Sequence, residues 1–151
     1  MTQWQISLPD LKQSLYQQKE LTLLTMCVWG EVRGCSDVAQ RAVGFVVRNR
    51  LAFHSARFGL TWRDVLLKPC QFSTFNPERG QLDRLFHPLE NDSEQAWKSC
   101  YASALIAYEE LYEDPSGRAL YYYSGDSVPL WARAMRETVR LDGLVFLTDQ
   151  A

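Results

Sequence analysis

Glu31 follows directly on a run of apolar residues, which is an unusual position for a charged side chain. The run covers residues 21–29, LTLLTMCVW, and only Thr22 and Thr25 in it are polar. If the run is a buried helix, Glu31 lies at its C-terminal end, where the helix dipole and apolar neighbours both disfavour an anion. A carboxyl kept protonated in this way can act as a general acid. From the spacing alone, the alternative is a surface residue just after a core helix, paired with Arg33.

Metal sites and redox-active cysteine pairs are not indicated. The histidines, His54 and His87, are far apart and outside an HExxH motif, and no two cysteines have CxxC spacing. The sequence therefore predicts no metal and no cofactor, with both histidines at the surface. The four cysteines are Cys27, Cys35, Cys70 and Cys100. They could form two disulfides, but free thiols are the commoner state in a reducing compartment.

The composition fits one soluble domain. The chain has 151 residues, of which 46% are hydrophobic and 23% charged, and its net charge of -2 gives no argument for a nucleic-acid or anionic-membrane partner. Residues 1–20 contain no basic region followed by an apolar segment, and the longest apolar run is too short to span a bilayer. We therefore expect a monomer that is made in the cytoplasm without a signal peptide.

Hydrophobic periodicity predicts an α+β chain of four or five helices and a small antiparallel sheet near the C-terminus. Pro9 begins a weak opening helix, and Ser36 or Asp37 caps the most regular one. The predicted helices are 9–19, 21–29 (ending near Gly30 and Gly34), 38–51, 62–68 (capped by Thr61) and 93–112. The predicted strands are 119–124, and 136–141 and 144–148, which flank an Asp-Gly hairpin turn. Residues 70–91 read as one long irregular loop, and such loops are often functional.

Six motifs occur along this framework: WGEVRG, QRAVGFVVRNR, CQFS, DPSGRALYYYS, PLWARAM and LDGLVF. In this order and spacing they resemble the cell-wall hydrolase family of the spore-cortex-lytic (SleB/CwlJ) type, over residues 21–146. The resemblance implies a mainly helical, lysozyme-like (lytic-transglycosylase-like) domain that takes in residues 1–151, with 1–20 as an N-terminal extension or helix. It implies cleavage of peptidoglycan glycan strands between N-acetylmuramic acid and N-acetylglucosamine. The catalytic acid of the family corresponds to Glu31.

One position departs from the family pattern, because Cys35 stands where the family usually has a second acidic residue. A lysozyme mechanism uses two carboxylates that flank the bond. A lytic transglycosylase needs one, which protonates the glycosidic oxygen and then draws the proton from the sugar's own 6-hydroxyl as a 1,6-anhydro ring closes. The departure therefore favours a transglycosylase. Asp37 and Asp64 remain possible partners, although each also fits a helix cap or a surface position.

The resemblance also implies residues that contact the glycan. Gln71 and Ser73 match a QFS-type loop that can hydrogen-bond sugar hydroxyls or N-acetyl groups, while Phe72 either walls the cleft or packs in the core. Strand alternation places Tyr121 and Tyr123 together on one face, which is predicted to line the cleft, with the core face as the alternative.

Trp131 either stacks on a sugar ring or anchors its own loop. Arg33 is expected to hold the loop after Glu31 rather than touch the substrate.

Two functional hypotheses remain open at this stage. The first is a glycan-cleaving enzyme, and the second is a non-catalytic peptidoglycan-binding or particle-assembly protein on the same fold. The absence of a separate wall-binding module and of an export signal fits a phage or prophage lysis enzyme or a virion-associated lysin. It also fits a bacterial protein whose signal has been removed.

Overall fold

Helices dominate the chain, and a small sheet follows near its C-terminus, as predicted. The computed structural model describes residues 1–69, 71–77 and 80–150. The α-helices in these ranges are α1 (Gln3–Ile6), α2 (Glu20–Val32), α3 (Asp37–Phe53), α4 (Trp62–Leu67), α5 (Leu82–Phe86), α6 (Pro88–Asn91) and α7 (Glu94–Glu109). The strands are β1 (Tyr121–Ser124), β2 (Arg136–Leu141) and β3 (Leu144–Thr148). Short 3-10 helices occupy Leu15–Gln17, Ser73–Phe75 and Leu130–Ala132.

Helix α2 lies at the centre of the fold. A helix that is apolar around its whole circumference is stable only when it is surrounded, and every residue from Thr22 to Trp29 is buried. Helices α3 and α7 pack against it and against each other. The side chains of Ser36 and Thr61 cap α3 and α4 by accepting hydrogen bonds from backbone N–H groups, as the sequence predicts. None of the helices in the described ranges is long and apolar enough to cross a membrane.

The predicted hairpin is confirmed with the bounds that the sequence indicated. Asp142 and Gly143 form the turn between β2 and β3 with φ of 48° and 80°, the left-handed values that a two-residue hairpin turn requires. Strand β3 is buried along its length and lies between β1 and β2 in an antiparallel sheet. The Asp142 carboxylate also accepts a 2.6 Å hydrogen bond from the backbone N–H of Ser36, which ties the hairpin to the start of α3.

The predicted opening helix over 9–19 is wrong. Residues 3–6 and 15–17 are helical, and the chain between them is a loop around the buried side chain of Gln18. The Gln18 amide accepts from the N–H of Asp10 and donates to the carbonyls of Asp10 and Gln13 at 2.8–3.1 Å. One side chain thus satisfies backbone groups that a helix would otherwise have to pair.

The prediction of a single irregular loop over 70–91 is also wrong in its described part. This segment contains a 3-10 helix and the short helices α5 and α6, and Leu85 of α5 is fully buried in the core. Pro88 is the first residue of α6, where its missing N–H costs nothing. Helix α7 ends three residues before the predicted Tyr112, since Glu110 adopts a left-handed φ of 54°.

Candidate active site

Helix α2 continues through Gly30 and ends at Val32, between the two glycines near which it was predicted to end. Gly30 is required by a close approach. A Cβ at this position would lie 1.8 Å from the Thr74 hydroxyl oxygen and 3.0 Å from a methyl carbon of Leu85. The glycine therefore lets the segment Ser73–Phe75 lie directly on the last turn of α2. Glu31 lies in that turn and faces the segment.

Three protein groups donate hydrogen bonds to the Glu31 carboxylate. The Tyr122 hydroxyl donates to Oε1 at 2.6 Å, and the Ser73 hydroxyl and the Thr74 backbone N–H each donate to Oε2 at 3.1 Å. These donors come from β1 and from the segment that packs on Gly30, and they engage both carboxylate oxygens. The orientation of the carboxylate is therefore fixed by parts of the chain that lie far from it in sequence.

Arg33 does not pair with Glu31, so the interpretation of Glu31 as a surface residue in an ion pair is wrong. The Arg33 guanidinium donates to Asp92 at 2.9 Å and to the carbonyl of Trp29 at 3.2 Å, and it lies 4.1 Å from the centre of the Trp29 ring. The buried Gln40 amide holds the carbonyl of Arg33. Arg33 and Gln40 together fix the chain just after Glu31, as was expected of Arg33.

The Glu31 side chain borders a cavity of about 460 Å³. Four of the predicted glycan-contacting residues line this cavity, and Glu31 is the only carboxylate among the described residues around it. The lining consists of Glu31, Arg50, Gln71, Ser73, Tyr121, Tyr122, Trp131 and Met135. An acid beside an open hollow of this kind, with polar groups and aromatic rings around it, can protonate a bound molecule and hold it in place.

Phe72 and Tyr123 are placed differently from the prediction. Phe72 is 2% exposed and packs in the main core, which matches its alternative and leaves it no surface for a sugar. Tyr123 lies outside the cavity lining, with its ring edge-on to that of Trp131 at 6.1 Å between centroids. Tyr121 also contacts the Trp131 ring, at 5.8 Å, so the two tyrosines do share one face of β1. Trp131 itself is 49% exposed at the rim.

Tyr122 is the first of two residues of the cavity lining that the sequence did not lead us to expect there. It lies on the face of β1 opposite to Tyr121 and Tyr123, and it reaches helix α2 at Glu31. Burial and the nearby Glu31 carboxylate raise the pKa of the Tyr122 phenol well above its ordinary value. The phenol therefore keeps its proton and remains a hydrogen-bond donor. Alternation contained part of the signal, because it placed Tyr122 on the face of β1 opposite to Tyr121 and Tyr123.

Arg50 is a second residue that was missed. It is 5% exposed, although it lines the cavity, and burial lowers its pKa to about 10, so it is a cation at neutral pH. A signal was available here as well. Arg50 follows Val43 and Val46 at helical spacing and therefore belongs to the buried face of α3.

The candidate second acids are not near Glu31. Asp37 accepts a hydrogen bond from Ser99, and Asp64 is exposed in the first turn of α4; neither lines the cavity. Cys35 is half-buried outside the lining, and burial together with Asp142 raises the pKa of its thiol. Cys27, Cys35 and Cys100 are free thiols, and Cys70 lies outside the described residues.

A second hollow, of about 490 Å³, is lined by a different set of residues. It carries Arg118 and Arg136, and no carboxylate is found among its described lining residues, so it offers no acid for bond cleavage. Over the described ranges, no three His, Cys, Asp or Glu side chains are grouped closely enough to hold a metal ion.

Comparison with known proteins assigns the family. The sequence model of the cell wall hydrolase family matches residues 34–147, beginning just after Glu31. Spore cortex-lytic enzymes of Oceanobacillus iheyensis and Bacillus cereus are 31% and 29% identical over 121 residues, or 78% of this chain. The chain spans 38% and 40% of their respective lengths.

Two solved structures share the fold. One is the catalytic domain of the germination-specific lytic transglycosylase SleB from Bacillus anthracis, with a TM-score of 0.66 and 24% identity over 93% of this chain and 100% of that one. The other is the catalytic domain of Bacillus cereus SleB, with the same score and identity over 94% and 96%. The predicted lysozyme-like fold with a C-terminal sheet is thereby confirmed. Because the family model spans most of its length, this chain belongs to the cell wall hydrolase family, of the SleB type that its motifs indicated.

Proposed function

We propose that this protein is a lytic transglycosylase that cleaves peptidoglycan strands between N-acetylmuramic acid and N-acetylglucosamine, with Glu31 as its single catalytic acid and base. The observation that carries the proposal is the Glu31 carboxylate, fixed by three donors at the wall of a cavity of about 460 Å³. The names of its relatives, spore cortex-lytic enzymes and a lytic transglycosylase, support this reaction class. In this proposal, residues 1–151 form one catalytic domain.

The chemistry needs one carboxyl group in two protonation states. Glu31 first donates its proton to the glycosidic oxygen, and the bond from that oxygen to C1 breaks. The resulting carboxylate then takes the proton of the sugar's 6-hydroxyl, and O6 bonds to C1 to close a 1,6-anhydro ring. Tyr122, Ser73 and the N–H of Thr74 stabilise the carboxylate between these two steps, because hydrogen bonds to an anion are the stronger kind.

The cavity lining supports a transglycosylase over a muramidase. A hydrolytic mechanism requires a second carboxylate, either as a nucleophile or to activate water. Among the described residues around the cavity, Glu31 alone is acidic. The loss of the family's usual acid at Cys35 leaves this arrangement unchanged, since Cys35 does not line the cavity.

Four side chains are proposed to contact the glycan. Gln71 and Ser73 offer hydrogen-bonding groups to the cavity, and Tyr121 and Trp131 offer aromatic faces. The 49% exposure of Trp131 leaves its ring available to a sugar, and Tyr123 supports that ring from beside it.

Glu31→Gln tests the proposal, with Glu20→Gln at the other end of α2 as the matched control. Purified protein is expected to clear a peptidoglycan suspension, and Glu31→Gln to slow clearing by about 100- to 10,000-fold, the usual contribution of a general acid. Glu20→Gln should clear at the wild-type rate, because the Glu20 carboxylate contacts Tyr108 and not the cavity. Mass spectrometry should show fragments with anhydro ends, each lighter than the hydrolytic product by one water.

Two results would contradict the proposal. Clearing that survives in Glu31→Gln would remove Glu31 from the mechanism, and reducing ends would indicate a muramidase. Binding of wild-type protein to sacculi without release of fragments would instead support the alternative of a non-catalytic wall-binding protein.

Peptidoglycan of the cell wall or cortex is the proposed place of action. The relatives described above are spore cortex-lytic enzymes, so they give a phage or virion origin no support. A monomeric state and the lack of a nucleic-acid partner stay predictions.

A further inference from the structure

The Arg50 side chain lines the same cavity as Glu31. Its Nε donates to the carbonyl of Leu120 at 2.7 Å, and its Nη1 donates to the side-chain oxygen of Gln71 at 3.2 Å. Three aromatic rings surround the cation, with centroids 4.9–5.2 Å from it: Phe72, Phe58 and Tyr121. These contacts fix the guanidinium in one orientation.

Among the described residues, Arg50 is a buried cation without an acidic partner. Within residues 1–69, 71–77 and 80–150 no carboxylate oxygen lies within 4.0 Å of its nitrogens. Buried charges are normally paired. The rings and two carbonyl oxygens compensate Arg50 instead, which leaves its positive charge facing the cavity.

The contact with Arg50 determines which end of the Gln71 amide faces the cavity. A guanidinium carries donors and no acceptor, so the Gln71 atom beside it must be the amide oxygen. The Gln71 NH₂ group makes no hydrogen bond within the described part of the chain, and the side chain lines the cavity. A bound sugar therefore meets a hydrogen-bond donor here, with a cation behind it.

We propose that Arg50 sets Gln71 as a fixed donor for an N-acetyl carbonyl, so that the cleft selects N-acetylated glycan strands over strands with free amino groups. An N-acetyl group presents a carbonyl acceptor that the Gln71 NH₂ can bind. A protonated amino group presents only donors, and it would meet both the Gln71 donor and the charge of Arg50. Glu31, which is the one carboxylate among the described residues of the lining, already accepts from three protein donors.

In this scheme Gln71 is the specificity-determining residue and Arg50 is a positioning residue that acts through it. The inference rests on the proposed function, because it assumes that the cavity holds the glycan strand. It extends that function by adding a chemical distinction within the substrate class.

The test compares two substrates prepared from one batch of sacculi, one chemically N-acetylated to completion and one enzymatically de-N-acetylated. Wild-type protein should cleave the N-acetylated strands about 10- to 100-fold faster, since the other substrate leaves the donor unpaired and brings two positive charges together. The ratio of the two rates on the same variant is the readout, because a loss of folded protein lowers both rates equally.

Gln71→Glu keeps the shape of the side chain and reverses its polarity. One carboxylate oxygen should pair with Arg50 while the other faces the cavity as an acceptor, and the ratio should fall by about tenfold or more. Gln71→Ala removes both groups, and Arg50→Met frees the amide to rotate, so each should give an intermediate ratio. Gln81→Glu, an exposed glutamine outside the cavity lining, is the matched control and should keep the wild-type ratio.

The possible failures are distinguishable. If Gln71→Glu keeps the wild-type ratio while glycan cleavage persists, the inference is overturned and the proposed function stands. If wild-type protein cleaves both substrates at equal rates, the inference is likewise overturned and the proposed function stands. If wild-type protein releases no fragments from either substrate, the proposed function is overturned together with the inference.

Discussion

Tyr122→Phe tests the contact that the sequence reasoning missed. The change removes one hydroxyl and keeps the ring that packs on Phe146 at 5.9 Å between centroids. Glu31 loses its shortest hydrogen bond, 2.6 Å from Oε1, and keeps the two donors on Oε2. The variant therefore isolates the value of one donor to the carboxylate.

The expected fall in kcat depends on the step at which the hydrogen bond from Tyr122 to Glu31 is strongest. A hydrogen bond to a charged group contributes about 1.5–3 kcal/mol, and it strengthens as Glu31 gives up its proton and becomes an anion. Each 1.36 kcal/mol in a barrier is about tenfold in rate. We therefore expect kcat to fall by about 10- to 150-fold, with little change in KM, because the lost interaction forms mainly in the transition state.

The assay is the release of anhydro ends from solubilised glycan strands, with thermal unfolding of each variant measured in parallel. Tyr108→Phe is the matched control, since the Tyr108 hydroxyl donates to the Glu20 carboxylate at 3.0 Å, away from the cavity. It deletes the same kind of tyrosine–glutamate bond and should leave kcat unchanged. If Tyr122→Phe lowers kcat no more than Tyr108→Phe does, the assigned role of the Tyr122 hydroxyl is wrong.

Two further predictions concern glycine packing and the buried thiols. Gly30→Ala should lower the free energy of unfolding by about 1–3 kcal/mol through overpacking. It should also lower the rate of glycan cleavage, because the added Cβ pushes Thr74 away from Glu31. Thermal unfolding and clearing assays check this against Gly34→Ala, whose added Cβ meets nothing within 4 Å. Cys27 and Cys100 should resist iodoacetamide in the native protein, because both are buried and burial raises the pKa of Cys100 to about 12 and that of Cys27 well above its ordinary value. If mass spectrometry finds either thiol alkylated before unfolding, the burial of that cysteine in the native protein is contradicted.

Elements specified by local residues were predictable. The hairpin depends on Asp142 and Gly143, whose left-handed conformations leave few alternatives to a two-residue turn. Helices α3 and α4 depend on an apolar stripe and a capping side chain, and both caps form as expected. These signals lie within a few residues of the element that they determine, so a reading along the chain detects them.

Contacts over long sequence distances were not predictable in the same way. Gly30 reads as a helix terminator along the chain, but its role is to admit Thr74, which lies 44 residues further on. Similarly, the predicted opening helix does not form, because the Gln18 amide hydrogen-bonds the backbone of a loop that begins eight residues before it. Propensity is a weak prior at such positions, because the partner that decides the outcome is supplied by the tertiary fold.

The position of Glu31 explains why the site depends on distant segments. A single carboxyl that acts first as the acid and then as the base needs its anion to persist between two proton transfers. No neighbour along α2 supplies a donor for it. The donors come from β1 and from the segment that Gly30 admits, so tertiary packing at Gly30 and the register of β1 are requirements of the chemistry as well as of the fold.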